Sequence, residues 1–331
     1  MKHPFDAPPS TDLWVWVPFE VDKKFDGWRL DQFLTQRLTG YSRNKIQKIL
    51  AEARVHKDGK TTKTNSRVKS GDKIEVAYLR KPEKPLAADA ALPVLFEDQD
   101  LLIVNKPAYL LSHPTDKVVQ NTVLGVLRQS RPDIASLHLL HRLDRETSGV
   151  LALAKNPAAA RAWTRAMERH EIQKEYIAFV HGIPHPKKGT IDRPMGPQGG
   201  DIRVRQWVDV PEAATAITVY ECTKTTAHFS MVRAFPKTGR LHQVRVHLAS
   251  LGTPLLGDPL YTEEGEWYRK MLKGQLSDLE RQKELGFGRV ALHAASLSFK
   301  HVLHGQPLHI EAALPSDMRS FLALGYPSGH R

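Results

Sequence analysis

Residues Leu140 to Asn156 read LHRLDRETSGVLALAKN, and Asp144 is the side chain there best suited to chemistry. A carboxylate can act as a nucleophile or as a general base. An Asp just ahead of Thr147-Ser148-Gly149 is also an ordinary cap or turn residue, so the position alone does not decide. His138 and His141, three residues apart, could share a metal, but no carboxylate or Cys cluster stands beside them. Neither G-x-S-x-G nor H-E-x-x-H occurs, which argues against a hydrolase pairing Asp144 with one of the 16 histidines. Cys222 is the single cysteine, so an internal disulfide and Cys-based zinc sites are excluded, and a reducing cytoplasm is the expected compartment.

Such a carboxylate needs elements to hold it. Val150 to Ala154 is an apolar strand directly after the motif, and KEYIAFV, around Tyr176, alternates as a second strand. Val244, Leu248 and Leu251 place a helix that ends near Gly252, with Arg245 near its start. Thr262 to Gly288 is highly charged and reads as a surface helix inserted between core segments. With 331 residues, 41% hydrophobic and 25% charged, the chain can build a real core. No apolar run is long enough for a membrane helix, and MKHPFDAPPSTD lacks the apolar segment of a secretory signal.

The net charge of +12 points to a polyanionic partner, and it is unevenly placed. Residues 41–84 hold 13 Lys/Arg against 5 Asp/Glu. In this region Leu30, Phe33, Leu34 and Leu38 form one helical stripe that Gly40 can end. Ser42 can cap a second helix whose Ile46, Ile49, Leu50 and Ala53 face inward, leaving Arg43, Lys45 and Lys48 outside. Asp58-Gly59 and Gly71-Asp72 mark turns, and Ile74 to Tyr78 alternates as a strand. Arg80 to Pro93, with three prolines, is a boundary. The expected division is an extension (1–20), a small basic α/β module (21–82), a linker (83–93) and a larger domain (94–331). Trp14 to Val17, WVWV, is either an extra edge strand or a docking segment.

Arg29-Leu30-Asp31, Phe33-Leu34, Ser42-Arg43, Val55 to Gly59 and Val68 with Gly71-Asp72 resemble the RNA-binding module first known from ribosomal protein S4. Arg54 stands at a position usually held by glycine there. In the larger domain, HRLDRETSG closely resembles the central motif of the RluA/RluD family of pseudouridine synthases. Val94 to Pro114, Ile172 to Gly182, Pro236 to Tyr261, Leu292 to Phe299 and Leu314 to Asp317 resemble further motifs of that family, in order. Tyr109 to Ser112 departs from its usual G-L-x-V-H, and Ile202 to Thr215 is more irregular than usual.

The resemblance implies an α+β fold: a large mixed, mostly antiparallel sheet with peripheral helices, preceded by the small S4-like module. It implies conversion of uridine to pseudouridine, in which the C1′–N1 bond breaks, the uracil turns, and C1′ joins C5. No cofactor or metal is demanded. By position Asp144 matches the catalytic aspartate, Arg245 the arginine that supplies its cation, and Tyr176 the tyrosine that stacks on the base and serves proton transfer. Leu292 matches the apolar residue against the base, and Arg142 the arginine that fills the space of a flipped nucleotide. Lys106, Arg145, Arg240 and His242 are candidates for RNA-backbone contacts, with Arg43, Lys45 and Lys48 from the small module. The combination is typical of members acting on large-subunit (23S) ribosomal RNA. Transfer RNA is the alternative substrate, and a non-catalytic RNA-binding or ribosome-assembly protein the alternative class. A monomer is the expected state.

Overall fold

The computed structural model describes residues 14–38, 43–52, 54–62, 66–79, 92–115, 118 and 120–324. These form two compact units, one before and one after residues 80–91, with Thr115 and Val118 grouped with the first. Most of the expected linker, together with Gly40, Ser42 and Ala53, lies outside the described residues.

The first unit has strands β1 (Trp14–Glu20), β2 (Val55–Lys57), β3 (Lys60–Thr61) and β4 (Lys73–Leu79), and helices α1 (Leu30–Arg37) and α2 (Arg43–Ala51). Its sheet runs β1-β4-β2-β3. WVWV is therefore part of an edge strand, with Trp14 opposite Leu79 and Glu20 opposite Lys73. Asp58 and Gly59 both take positive φ, 50° and 76°, as the tight β2–β3 hairpin requires. The apolar stripes of both helices close on this sheet: Leu30, Phe33, Leu34, Ile46 and Ile49 pack with Val55, Val68, Ile74 and Val76. Arg54 takes no positive φ; its N–H bonds Ile49 O and its carbonyl accepts from Ala77, so this turn does without a glycine.

The second unit has strands β5 (Val94–Glu97), β6 (Leu101–Lys106), β7 (His138–Leu139), β8 (Ser148–Ala154), β9 (Gln173–His181), β10 (Lys188–Asp192), β11 (Met195–Pro197), β12 (Gln206–Val208), β13 (Ile217–Thr225), β14 (Phe229–Pro236), β15 (Leu292–Lys300) and β16 (Pro307–Glu311). Its helices are α3 (Val123–Ser130), α4 (Pro157–Glu168), α5 (Gln243–Ser250), α6 (Glu266–Leu272), α7 (Asp278–Leu285) and α8 (Ser316–Leu324). The main sheet runs β10-β13-β14-β9-β15-β8-β6-β5, with β16 on β15 and β7 on β8. All its pairings are antiparallel except β8–β15, which matches the expected mixed, mostly antiparallel sheet.

Strand β8 is buried along its whole length because both faces are covered. Val150 and Ala152 meet Trp163 of α4 on one face, while Leu151 and Leu153 meet Val123 and Leu127 of α3 on the other. The parallel join is short, with His293 opposite Ser148 and Ala294 opposite Gly149. Gly149 sits there at φ 112°, and a Cβ on it would lie 2.1 Å from Ala294 O. Only glycine lets the two backbones approach this closely. Ser148 Oγ and His293 Nδ1 lie 2.9 Å apart, and His293 Nε2 is 3.0 Å from Ala312 O, which pins the join.

The charged stretch from Thr262 corrects the single surface helix expected. It forms a short turn and two helices, α6 and α7, and α7 sends Arg281 into the interior, where it is 5% exposed.

Candidate active site

The loop before β8 is held from three sides. Thr147 N–H bonds Asp144 O at 3.1 Å, so the residues after Asp144 turn tightly into the strand. Ser112 Oγ donates to Leu143 O at 2.8 Å and accepts from Leu143 N–H at 3.1 Å. Glu146 takes both Nη1 and Nη2 of Arg281, at 3.0 and 2.6 Å, and the N–H of Val290 at 2.9 Å. Arg289, 2% exposed, donates to Glu146 O, Val290 O and Leu292 O while pairing with Asp317.

Asp144 lines a cleft of about 450 Å³ with Arg142, Tyr176, Arg240, His242, Arg245 and Leu292 among its walls. One carboxylate oxygen, Oδ2, accepts from Arg245 Nη1 at 2.9 Å. Oδ1 has no hydrogen-bond partner among the described residues. Arg245, on the first turn of α5, is also gripped by Asp258, through Nε at 2.7 Å and Nη2 at 2.9 Å. Asp258 is fully buried and also accepts from Leu260 N–H at 3.0 Å. Burial opposes both charges, yet the pairing overrides it: Asp258 stays below the usual carboxylate range and Arg245 above the usual guanidinium value. The result is a carboxylate–guanidinium–carboxylate chain that holds Arg245 rigidly against Asp144. The guanidinium also lies 5.1 Å from the ring centre of Tyr261.

Tyr176, on β9, sits between two apolar clusters, and Leu292 opens β15 on the adjacent strand. Burial and then the Asp144 charge push the Tyr176 phenol above its ordinary pKa, so it keeps its proton near neutrality. The structure thus brings Asp144, Tyr176, Arg245 and Leu292 together from sequence positions 144 to 292. Arg142 and Arg240 are exposed on the cleft; Arg240 Nε donates to Thr215 O, while Arg142 has no ion partner among the described residues. Arg145 is exposed as well. His242 lines the cleft in a left-handed conformation, φ 59°, at the start of α5. Its Nδ1 is 2.8 Å from Tyr261 Oη and its Nε2 is 3.8 Å from Asp144 Oδ2, so it faces Asp144 more than an RNA backbone. Burial, then Arg245, lowers its pKa to about 4, so the ring is neutral near pH 7.

Lys106 corrects the expectation of a backbone contact. It is fully buried, and its ammonium donates to Pro107 O at 2.9 Å, Leu110 O at 2.8 Å and Arg145 O at 3.2 Å. All three donors are spent on main-chain carbonyls, so none reaches a phosphate. Lys106 instead ties the 107–110 loop to the residue after Asp144. Burial lowers its pKa to about 7, with Asp144 opposing. His141 is likewise structural: its Nε2 accepts from Ala152 N–H at 3.1 Å, and burial lowers its pKa to about 3.

Lys174 and Gln243, which line the cleft, and Asp258, which grips Arg245, were not singled out from the motifs. Lys174, with its pKa lowered by burial to about 8, donates to Thr238 O at 3.1 Å. Gln243 accepts from Arg240 N–H and Thr238 Oγ1, shaping the turn before α5. Asp258 stands in an apolar run, LLGDPLY, and a charge there is a readable sign of a buried partner.

Asp100, His301 and His304 approach within metal-ligand distance of one another, away from the cleft. His301 Nδ1 accepts from Leu303 and His304 N–H, so its proton sits on Nε2, the nitrogen 3.0 Å from Asp98 Oδ2. In the first unit, Trp28, Arg29, Gln32, Gln36 and Arg67 line a broad concavity of about 740 Å³. Of the basic residues expected to face RNA there, Lys48 is exposed, and the side chains of Arg43 and Lys45 lie outside the described residues.

The chain has relatives among known proteins. The family described as RNA pseudouridylate synthase matches residues 100–250, and the S4 domain matches residues 28–74. An "Uncharacterized RNA pseudouridine synthase" of Chlorobaculum parvum is 34% identical over 319 residues, 92% of this chain and 96% of that protein. The "Ribosomal large subunit pseudouridine synthase D" of Vibrio parahaemolyticus is 33% identical over 297 residues, covering 88% of this chain and 89% of that protein. Among solved structures, human RNA pseudouridylate synthase domain containing 4 is similar with a TM-score of 0.55 and 25% identity, over 70% of this chain and 92% of that one.

Proposed function

The chain belongs to the RNA pseudouridylate synthase family and is an RNA pseudouridine synthase with an S4 domain, and from that premise we propose that it isomerises uridine in large-subunit (23S) ribosomal RNA with Asp144 as the reacting carboxylate. One observation carries the assignment of Asp144. Its Oδ2 is held by a buried guanidinium, while Oδ1 has no hydrogen-bond partner among the described residues in a cleft walled by Tyr176 and Leu292. The relatives named for the ribosomal large subunit support the choice of substrate.

In this reading the target base leaves its stack and lies between Tyr176 and Leu292. Flipping costs about a few kcal/mol, and Arg142, exposed and without an ion partner among the described residues, fills the vacated space. Oδ1 then acts on the nucleotide, as a nucleophile or as the base for the C2′ proton. The C1′–N1 bond breaks, the uracil turns against the Tyr176 ring, and C1′ bonds to C5, the Asp144 oxygen leaving again in the first route and the C2′ proton being returned by Asp144 in the second. The C5 proton leaves and N1 gains one, so atoms and charge balance with no net redox change. Arg245 Nη1 donates to Asp144 Oδ2 and so orients the carboxylate in the cleft. Tyr176, still protonated near neutrality, is placed for the proton traffic at C5. Arg240 and Arg145 face the backbone around the target. The basic first unit, with the Trp28–Arg67 concavity and Lys48, supplies salt-dependent grip.

The test is chemical mapping of pseudouridine in an unmodified large-subunit transcript incubated with wild type or Asp144→Asn. New stops with wild type alone, with RNA affinity of the variant within a few fold, are expected. Turnover by a clean Asp144→Asn preparation refutes the role of Asp144. Wild-type modification of transfer RNA but not of the large-subunit transcript refutes the substrate.

A further inference from the structure

Tyr109 has a backbone that a large side chain rarely adopts. Its φ is +68°, in the left-handed region where a Cβ crowds the following carbonyl. Its ring is not driven there by burial, since the residue is 51% exposed. Strain of this kind persists only where the surroundings over-determine it, and they do. The buried Lys106 ammonium takes Pro107 O and Leu110 O, the carbonyls on either side of Tyr109, and fastens the same loop to Arg145 O. The phenol reaches across to Gly288 O at 3.3 Å, in the segment that leads to Leu292. Two residues on, Leu111, Ser112 and His113 form cleft wall. A half-exposed aromatic ring is therefore held at a fixed position by the same ammonium that braces the Asp144 loop.

We propose that Tyr109 is a substrate-contacting residue: its ring is a stacking platform for an unpaired RNA base flanking the target uridine, and it contributes to substrate selection. The inference rests on the RNA pseudouridine synthase activity and goes beyond the residues assigned to the reaction. The chemistry fits. Flipping the target unstacks its neighbours, and a neighbouring base needs a new π-face. A phenol offers one at little entropic loss because its loop is already fixed. Stacking on one aromatic side chain is worth about tenfold or more in affinity, and is tolerant of base identity.

The experiment compares wild type, Tyr109→Gly, Tyr109→Phe and Tyr109→Trp on two in vitro transcripts, large-subunit ribosomal RNA and a transfer RNA pool, by tritium release from C5-labelled uridine. Glycine suits the left-handed backbone, so Tyr109→Gly is expected to melt within a few degrees of wild type. The same variant is expected to raise KM about tenfold on the modified transcript with little change in kcat. Tyr109→Phe and Tyr109→Trp, which keep a π-face, are expected to restore the KM. Unchanged KM for Tyr109→Gly overturns the proposal. So does loss confined to kcat, or loss in step with melting temperature, either of which marks a structural role. If wild type modifies only transfer RNA, the ribosomal reading fails while Tyr109 is still judged on that transcript. Turnover of neither transcript by wild type overturns both.

Discussion

Asp258→Asn isolates what the buried carboxylate does for Arg245. In the wild type Asp258 is fully buried, takes two guanidinium N–H groups at 2.7 and 2.9 Å, and leaves Nη1 for Asp144. The amide is nearly isosteric, but it carries no charge and can accept through one atom only. Whichever way it turns, an NH2 group then faces a guanidinium N–H. Breaking a buried pair by removing one partner costs about 3–5 kcal/mol; the retained volume and one bond place this variant near 3 kcal/mol. Catalysis should fall too, because Arg245 loses one of the three bonds that fix it and meets an NH2 group in its place. Misplacement near a reacting group by about 1 Å costs about 10²-fold. Asp258 is buried away from solvent, so KM should stay near wild type while single-turnover kcat falls about a hundredfold. Tritium release under single-turnover conditions and thermal denaturation by circular dichroism read the two effects. A variant with wild-type melting temperature and wild-type kcat refutes the claim that Asp258 holds Arg245.

Gly149→Ala is expected to yield insoluble or grossly destabilised protein, since its Cβ would lie 2.1 Å from Ala294 O; normal expression and melting would show that β8 and β15 can part without loss. Lys106 has a folded pKa of about 7 against 10.5 unfolded, so between these values the unfolded chain binds more protons. Its contribution to stability should therefore rise with pH across that window and fall away as pH drops through 7. Chemical denaturation of wild type and Lys106→Met at pH 6, 7.5 and 9 should show the difference shifting in favour of wild type as pH rises, and a constant difference would contradict this. Arg142→Ala should lose about tenfold or more in kcat on folded RNA and much less on a short unstructured oligonucleotide, because only the former must be unstacked. Equal losses on both would point to a role for Arg142 other than filling the stack.

Much of the fold was readable because its signals are local. The two stripes around Phe33 and Ile49, the Asp58-Gly59 turn, the apolar run after Gly149 and the Val244–Leu248 helix each declare themselves within ten residues. Asp144, Tyr176, Arg245 and Leu292 were nameable from motifs, and the structure places them in one cleft. Lys106 was misread because a lysine beside proline ordinarily points to solvent, and its acceptors are carbonyls as distant as Arg145. The five apolar or neutral residues before it were the missed sign. Arg281 was hidden for the same reason, since its partner Glu146 lies 135 positions earlier and its own surroundings, SDLERQKE, look uniformly solvated. The left-handed backbone of Tyr109 coincides with the departure from the usual G-L-x-V-H pattern, where composition alone gave no geometry.

The short parallel join between β8 and β15 has a consequence for when the enzyme can work. Asp144 arrives with the β6–β8 side of the sheet, whereas Tyr176, Arg245 and Leu292 arrive with the β9–β14 side and β15. Within the sheet the two sides are joined by the pairing of residues 148–149 with 293–294, 145 positions apart. During synthesis the cleft is incomplete until Leu292 and strand β15 have been made. Activity is therefore a late event in biogenesis, gained in one step when the last central strand slots in. The S4 domain is complete in the growing chain well before the cleft is.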